Sequence, residues 1–392
     1  MNKRMNGRPS RHTQTQIALD KRGFTLVEVM IAALVTSVIV GAGFGVLVAS
    51  EKATRTSGQI VDAQQSARLA MELLARDIKL AGYGWQANVN VGNCQVPVAL
   101  PNTAAPIVPV ETNPAGPDTG PDGIRLIVPM TNTQVAGGAA WQLAAPTIPG
   151  FSTIQLQNGA VAAMQTAGLL NTTTAISING SYSAQVIGVN GANLQLAMSA
   201  NEHISFPAGA QVYLLQCVNY TVANTQALCG NIGAPCLLRG PVGPNGAPNL
   251  QVAIADGIED IQFAYACDGC TVANPNPDGI IDNQDGVAGF SAGDFITNAP
   301  WNLSPVTPTK IRLVQINLVA RQTARGADQG VGEGNVTALL TPNPLQISDH
   351  NHVNGVFAAG DFGVQTPPYT SVRRRVLTRT VDARNAALCD VC

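Results

Sequence analysis

The segment from Phe24 to Val48 constrains this chain more than any other. It is about 25 nearly uninterrupted apolar residues. At ~1.5 Å of rise per residue it makes a helix roughly 37 Å long, enough to cross a ~30 Å hydrocarbon core. One charge breaks it, Glu28. A carboxylate deep in lipid costs about 2.5–3.5 kcal/mol on insertion scales, so Glu28 is a functional candidate by default. No Lys or Arg lies between Phe24 and Ser50, so its partner is expected from outside the segment. Residues 1–23 carry six Lys/Arg against Asp20, a net +5, and the remainder of the chain is −7. Positive charge ahead of the apolar run puts that end in the cytoplasm and the rest of the chain outside, in a single pass.

The order of the parts carries further information. An ordinary secretory signal is cleaved after its apolar region. Here a polar stretch ends at Gly23 and the apolar run follows, with Phe24, Thr25, Leu26, Val27 and Glu28 in succession. This resembles the signal of type IV prepilins and pseudopilins. The resemblance implies a leader, residues 1–23, removed by a prepilin peptidase between Gly23 and Phe24, and N-methylation of Phe24. It also implies that Glu28 pairs with the Phe24 amine of a neighbouring subunit.

The helix is expected to continue past the membrane, over about 24–82, with 24–48 in lipid. Ile60, Ala63, Ala67, Ala70, Leu74, Ile78 and Ala81 recur at three- and four-residue spacing, and Leu69, Leu73 and Leu80 widen that stripe. Gly82 is the expected stop. Gly41, Gly43 and Gly45 suit either a bend or close helix packing. Residues 83–250 read as the β-rich first part of the head, with strands over 123–130, 153–157, 175–178, 184–189, 193–198 and 211–222. Asn-Gly pairs at 158–159, 179–180 and 190–191 signal hairpins. Pro-rich stretches 97–118 and 240–248 read as loops. The fold class is α+β, a pilin-like ladle of one long helix and a large β-rich head.

Charged residues make up only 12% of the chain, which is neither a basic nucleic-acid-binding profile nor a disordered one. All eight cysteines follow the apolar segment, in a compartment that permits disulfides. Eight cysteines allow about 105 connectivities; the simplest, local closure, pairs Cys229 with Cys236, Cys267 with Cys270 and Cys389 with Cys392, and leaves Cys94 with Cys217. The two CxxC pairs, 267–270 and 389–392, are also a candidate four-sulfur zinc site. The sharpest metal candidate is an EF-hand-like run: Asn274, Asn276, Asp278, the Ile280 carbonyl, Asp282 and Asp285 fall at loop positions 1, 3, 5, 7, 9 and 12, with Gly279 at 6. Calcium is the one cofactor this loop suggests. Its departures are Asn at the first position, a short Asp at the last, two prolines and no flanking helix. Gly289-Phe-Ser291-Ala-Gly293 matches G-x-S-x-G without the strand and helix a nucleophile elbow needs. His350 and His352 beside Asp349 read as a polar turn, and Arg373–Arg375 with Arg379 as a strand with one solvated face. No enzyme is expected.

Beyond residue 250, Asp256-Gly257-Ile258-Glu259-Asp260 leads into the alternation Ile261, Phe263, Tyr265. Trp301 and the strand Lys310–Leu318 follow, and then Arg373–Val381 with Arg384-Asn385. This succession is similar to the C-terminal region of PilW-type minor pilins, themselves akin to the J-type minor pseudopilins of type II secretion. The implied work of 251–392 is within the head of a minor pilin that initiates or tips a type IV pilus. Its implied partners are the prepilin peptidase, other minor and major pilins and the inner-membrane assembly platform. The implied final location is the pilus surface. A type II pseudopilin and a membrane-anchored periplasmic enzyme are the alternatives.

Overall fold

The computed structural model describes residues 24–92, 94, 105–111, 120–131, 140–171, 174–197, 203–230, 235–241, 251–321, 346–347, 350–351 and 374–386. The leader through Gly23, Cys389, Cys392, Asp349, His352 and Arg373 lie outside the described residues. The chain divides into two compact units, residues 1–57 and 58–392.

In the first unit, helix α1 (Leu26–Leu80) begins, and it runs unbroken through Gly41, Gly43 and Gly45. A Cβ added at any of these glycines would meet nothing within 4 Å. The span Leu26–Glu51 is long and apolar enough to cross a membrane, and among the described residues none of it is buried.

In the second unit, the last part of α1 lies on a strand-rich head, giving an α+β chain. The strands are β1 (Ile107–Val110), β2 (Gly123–Met130), β3 (Thr153–Gln155), β4 (Ala175–Ile178), β5 (Tyr182–Asn190), β6 (Asn193–Leu196), β7 (Val212–Ala223), β8 (Cys236–Pro241), β9 (Val252–Asp256), β10 (Ile258–Cys267), β11 (Ile311–Arg321), β12 (Gln346–Ile347), β13 (His350–Asn351) and β14 (Arg374–Asp382). Short helices α2 (Ala160–Thr166) and α3 (Gln226–Cys229) interrupt them. The larger, antiparallel sheet runs β1-β2-β7-β4-β5-β6-β3, with β8 on β7 and β9 on β8. Its spine is β7. One edge pairs with β2 over Leu214–Tyr220. The other pairs first with β4 over Val212–Leu215 and then with β8 over Val218–Ala223. A second sheet is ordered β10-β11-β14.

The main core joins Ala67, Ala70, Leu74 and Ile78 of α1, and Ala81 just after it, to β1, β2, β7, β8 and the β10-β11-β14 sheet. It therefore crosses residue 250. The expected stripe is correct along this line but not on its flank: Leu69 is 49% and Leu80 37% exposed, while Met71, Ala75 and Asp77 are buried instead. Helical geometry explains the shift, because 67, 70, 71, 74, 75, 77, 78 and 81 share one face and 69, 73 and 80 step off it. A second core, around Trp141, Phe151, Tyr182 and Phe206, lies under β3–β6 and α2.

Two loop expectations and one strand expectation differ from the structure. The 97–118 stretch contains β1, whose Pro109 is tolerated because β1 ends the sheet order. Asn158-Gly159 does not form a hairpin. Gly159, at φ 85°, caps the start of α2. Asn179-Gly180 does close a hairpin, with both residues at positive φ (51° and 70°) and the Ser181 N–H donating to the Ile178 carbonyl at 3.1 Å. Finally, β10 is buried along its whole length rather than alternating. Its second face carries Gln262, whose amide donates to the Gly120 carbonyl at 3.1 Å.

Candidate functional site

The N-terminal signal has a local geometry that spacing alone does not reveal. Thr25 precedes the first helical residue and Glu28 is three residues on. The Thr25 N–H and hydroxyl both donate to Glu28 Oε2, at 2.8 and 2.9 Å, and the Glu28 N–H donates to Thr25 Oγ1 at 3.3 Å. This is a capping box, which satisfies orphan donors at a helix start. It holds Oε2 by hydrogen bonds from within the segment, in addition to the charge partner expected from outside it. Among the described residues Oε1 accepts no hydrogen bond. Phe24 is 86% exposed beside it. The box uses residues 25–28 only, so it does not depend on the leader.

A second polar centre fixes the other end of α1 to the head. Asp77 is 1% exposed inside the apolar face. Its Oδ2 accepts from the Tyr220 hydroxyl on β7 at 2.6 Å and from Arg239 Nε on β8 at 2.8 Å. Its Oδ1 accepts from Arg76 at 2.8 Å. The Arg239 guanidinium also stands 5.9 Å from the centre of the Tyr220 ring. Burial, then the neighbouring Asp77 charge, push the Tyr220 phenol far above its ordinary range, against the opposing pull of Arg239. The helix ends where expected: Gly82 adopts φ +81° and its N–H donates to the Ile127 carbonyl on β2 at 2.9 Å. A Cβ at Gly82 would come within 2.8 Å of Pro106 Cβ. Just after β14, the Asn385 amide donates to the Lys79 carbonyl at 2.7 Å and covers another helix-end acceptor.

The EF-hand-like residues are only partly brought together. The Asn274 amide donates to Asp278 Oδ2 and Asp282 Oδ1, at 3.2 and 3.3 Å. Asn276 is exposed, and Ile280 is 69% exposed. Asp285 turns elsewhere. It accepts from the Ser291 hydroxyl at 2.7 Å and from the Val287 N–H at 2.8 Å, and these bonds hold its carboxyl below the usual carboxylate range. Ser291 of G-x-S-x-G is the N-cap of a short turn over Ala292–Asp294, so its hydroxyl serves as a cap. The Asp268 carboxylate accepts from the Asp278 and Gly279 N–H groups, and Lys310 Nζ donates to the Gly269, Pro275 and Pro305 carbonyls at 2.7, 2.8 and 2.9 Å. Disulfides join Cys94–Cys217, Cys229–Cys236 and Cys267–Cys270. With Cys267 and Cys270 bonded to each other, their sulfurs are not available to a four-sulfur zinc site in this state. The arginine run divides: Arg375 and Arg379 are exposed, whereas Arg374 is buried against Glu259.

Two family models match the chain. The prokaryotic N-terminal methylation motif covers residues 19–44, and the type IV pilus-assembly protein W model covers 219–385. No curated protein matches it. The first match holds the capping box and the start of the apolar span. The second runs from the middle of β7 through β14 and includes Tyr220, Arg239 and Asn385, which grip the far end of α1. The apolar helix and its prepilin-type signal fit membrane anchoring, processing by a prepilin peptidase and assembly with other pilus components. The chain is a type IV pilus-related, pilin-like protein, with the methylation motif at its N-terminal end and the PilW region in its second half.

Proposed function

We propose that this chain is a minor pilin that takes part in initiating, or tipping, a type IV pilus. The observation that carries the reading is the unburied span Leu26–Glu51 headed by the Thr25–Glu28 box. Such a surface is stable only against lipid or against other apolar helices. Removal of residues 1–23 leaves Phe24 as a free amine next to the Glu28 carboxylate of an adjoining helix. The internal bonds to Oε2 orient that carboxylate and leave Oε1 for a neighbour's amine. A charge pair in an apolar bundle is favourable only when both charges are present and well placed, so the pair sets register as well as strength. Replacing Glu28 by Ala is expected to leave processing intact and to remove the subunit from sheared fibres. Incorporation of Glu28→Ala at the wild-type level would sink this reading.

Calcium at 274–285 is a separate proposal, supported by the closeness of Asn274 to Asp278 and Asp282; the Asn274 amide would have to turn its oxygen toward the ion. A cation in that place would need Asp285 to give up Ser291. Calcium is expected to raise the melting temperature of the wild type but not that of Asp278→Ala/Asp282→Ala. Equal melting of the wild type in calcium and in chelator removes the idea.

A further inference from the structure

Cys267 and Cys270 close a turn at the end of β10, and the Asp282 carboxylate lies against them. The two sulfurs and a carboxylate oxygen all lie within 4.8 Å of one another. All three residues are buried, at 1%, 4% and 6% exposure. We propose that, once this disulfide is reduced, Cys267, Cys270 and Asp282 bind a divalent cation of the zinc class, so that one turn is closed either by a disulfide or by a metal.

The chemistry of the set favours zinc. Zinc takes thiolate sulfur at about 2.3 Å and carboxylate oxygen at about 2.0–2.2 Å in a tetrahedron, which spaces its ligands roughly 3.5–3.8 Å apart. The carboxylate needs only a small approach to meet that spacing, and the freed sulfurs need to separate by side-chain rotation. Two residues between cysteines is a spacing zinc sites use. Thiolates select against hard, oxygen-seeking calcium and magnesium. Two thiolates, one carboxylate and a dication sum to a single negative charge. Lys310 Nζ, 2.7 Å from the Gly269 carbonyl, and Arg312, 3.5 Å from Asp268, supply nearby positive charge. Three protein ligands leave the fourth position to water.

Contacts other than the S–S bond also hold the turn. The Cys270 N–H donates to Asp282 Oδ2, and the Asp282 N–H donates to the Cys267 carbonyl at 2.9 Å. Gly269 sits at φ +91° with Asn276-Pro277 packed so closely that a Cβ would come within 2.8 Å of Pro277 N. These contacts do not involve the sulfurs, so on the proposal they keep both cysteines and Asp282 together after reduction. The redox step balances simply. The disulfide takes up two electrons and two protons to give two thiols. A phosphine reductant supplies the electrons and leaves as its oxide, with oxygen from water. Metal binding then releases the two thiol protons to buffer.

The test uses the full chain in detergent, with zinc or cobalt(II) as the probe. After phosphine reduction and removal of excess metal, wild type is expected to retain one zinc per chain. Its cobalt form is expected to show sulfur-to-metal charge-transfer absorption. Cys270→Ser should lose both signals, and Asp282→Asn should weaken retention at least tenfold while keeping the fold. The variant Cys389→Ser/Cys392→Ser should bind as wild type. Loss of zinc in that last variant would overturn the proposal in favour of a four-sulfur site. Equal retention in oxidised and reduced wild type, or undiminished retention in Cys270→Ser, would overturn it outright. None of these readouts involves pilus assembly, so they stand or fall apart from the role proposed above.

Discussion

Replacing Asp77 by Ala is expected to lower the unfolding free energy of the head by about 3 kcal/mol, the lower end of the cost of orphaning a buried charge. The Asp77 side chain is 2% exposed and that of its partner Arg239 26%. Removing the acid strands the guanidinium and the Tyr220 hydroxyl in the seam between α1, β7 and β8. Arg76 binds the same carboxylate but is 52% exposed. Arg76→Ala is therefore expected to cost no more than about 1 kcal/mol. Chemical denaturation of the two variants checks this, and equal midpoints would contradict it. The same cluster has an alkaline signature. A phenol whose folded pKa is raised contributes stability that is complete below its unfolded value of about 10 and is lost as pH climbs toward the folded value. Tyr220 is raised by burial and by Asp77, and Tyr265 by burial and by Glu111 and Asp122. Of the six tyrosines, these two are expected to stay protonated until the head unfolds in alkali. A smooth single titration of all six near pH 10 would contradict the geometry.

Replacing Glu259 by Ala is expected to cost about 3–5 kcal/mol, because it leaves Arg374 buried without its acid. The two side chains are 0% and 1% exposed. Arg374 Nη2 donates to Glu259 Oε1 at 2.8 Å, and Arg374 Nε donates to Oε2. Glu259 sits at an irregularity in the β10–β11 ladder, where the register shifts between Ile258 and Asp260. Since β11 lies between β10 and β14, the pair spans the end of the three-stranded sheet and ties its outer strands together. Exchanging both partners for apolar residues, Glu259→Leu with Arg374→Met, is expected to be nearly neutral, because no buried charge is left alone. A double variant as unstable as the single one would show that the cost lies in packing instead.

Much of this architecture is legible in the residues because its signals are local. The run Phe24–Val48 and the spacing 67, 70, 74, 78, 81 specify α1 nearly to its ends, and Gly82 stops it through a backbone angle that other residues avoid. Strands β2 and β4 match their expected bounds because each is an apolar run closed by turn residues. The misses are non-local. Ile107–Val110 reads as loop because of its proline, and only the sheet order shows that a proline is harmless there. The stripe as read passes over Asp77, although an acid three residues after Leu74 and four before Ala81 is itself a sign of a buried partner. That partner, Arg239, is 162 residues away. The Thr25–Glu28 box is legible in spacing, as Thr-x-x-Glu at a helix start. The metal-like loop shows a competition that spacing alone does not display. Its spacing fits six ligands, but Asp285 is drawn away by Ser291, six residues on, a competitor that a ligand template does not count.

The central claim is that residues 24–28 are a processed, charge-bearing helix start. Mass spectrometry of the protein purified from cells with an active prepilin peptidase tests it most directly. The account predicts an N-terminal peptide that begins at Phe24 and carries one extra methyl group. A peptide that still contains residues before Phe24, recovered as the main species from such cells, would contradict it.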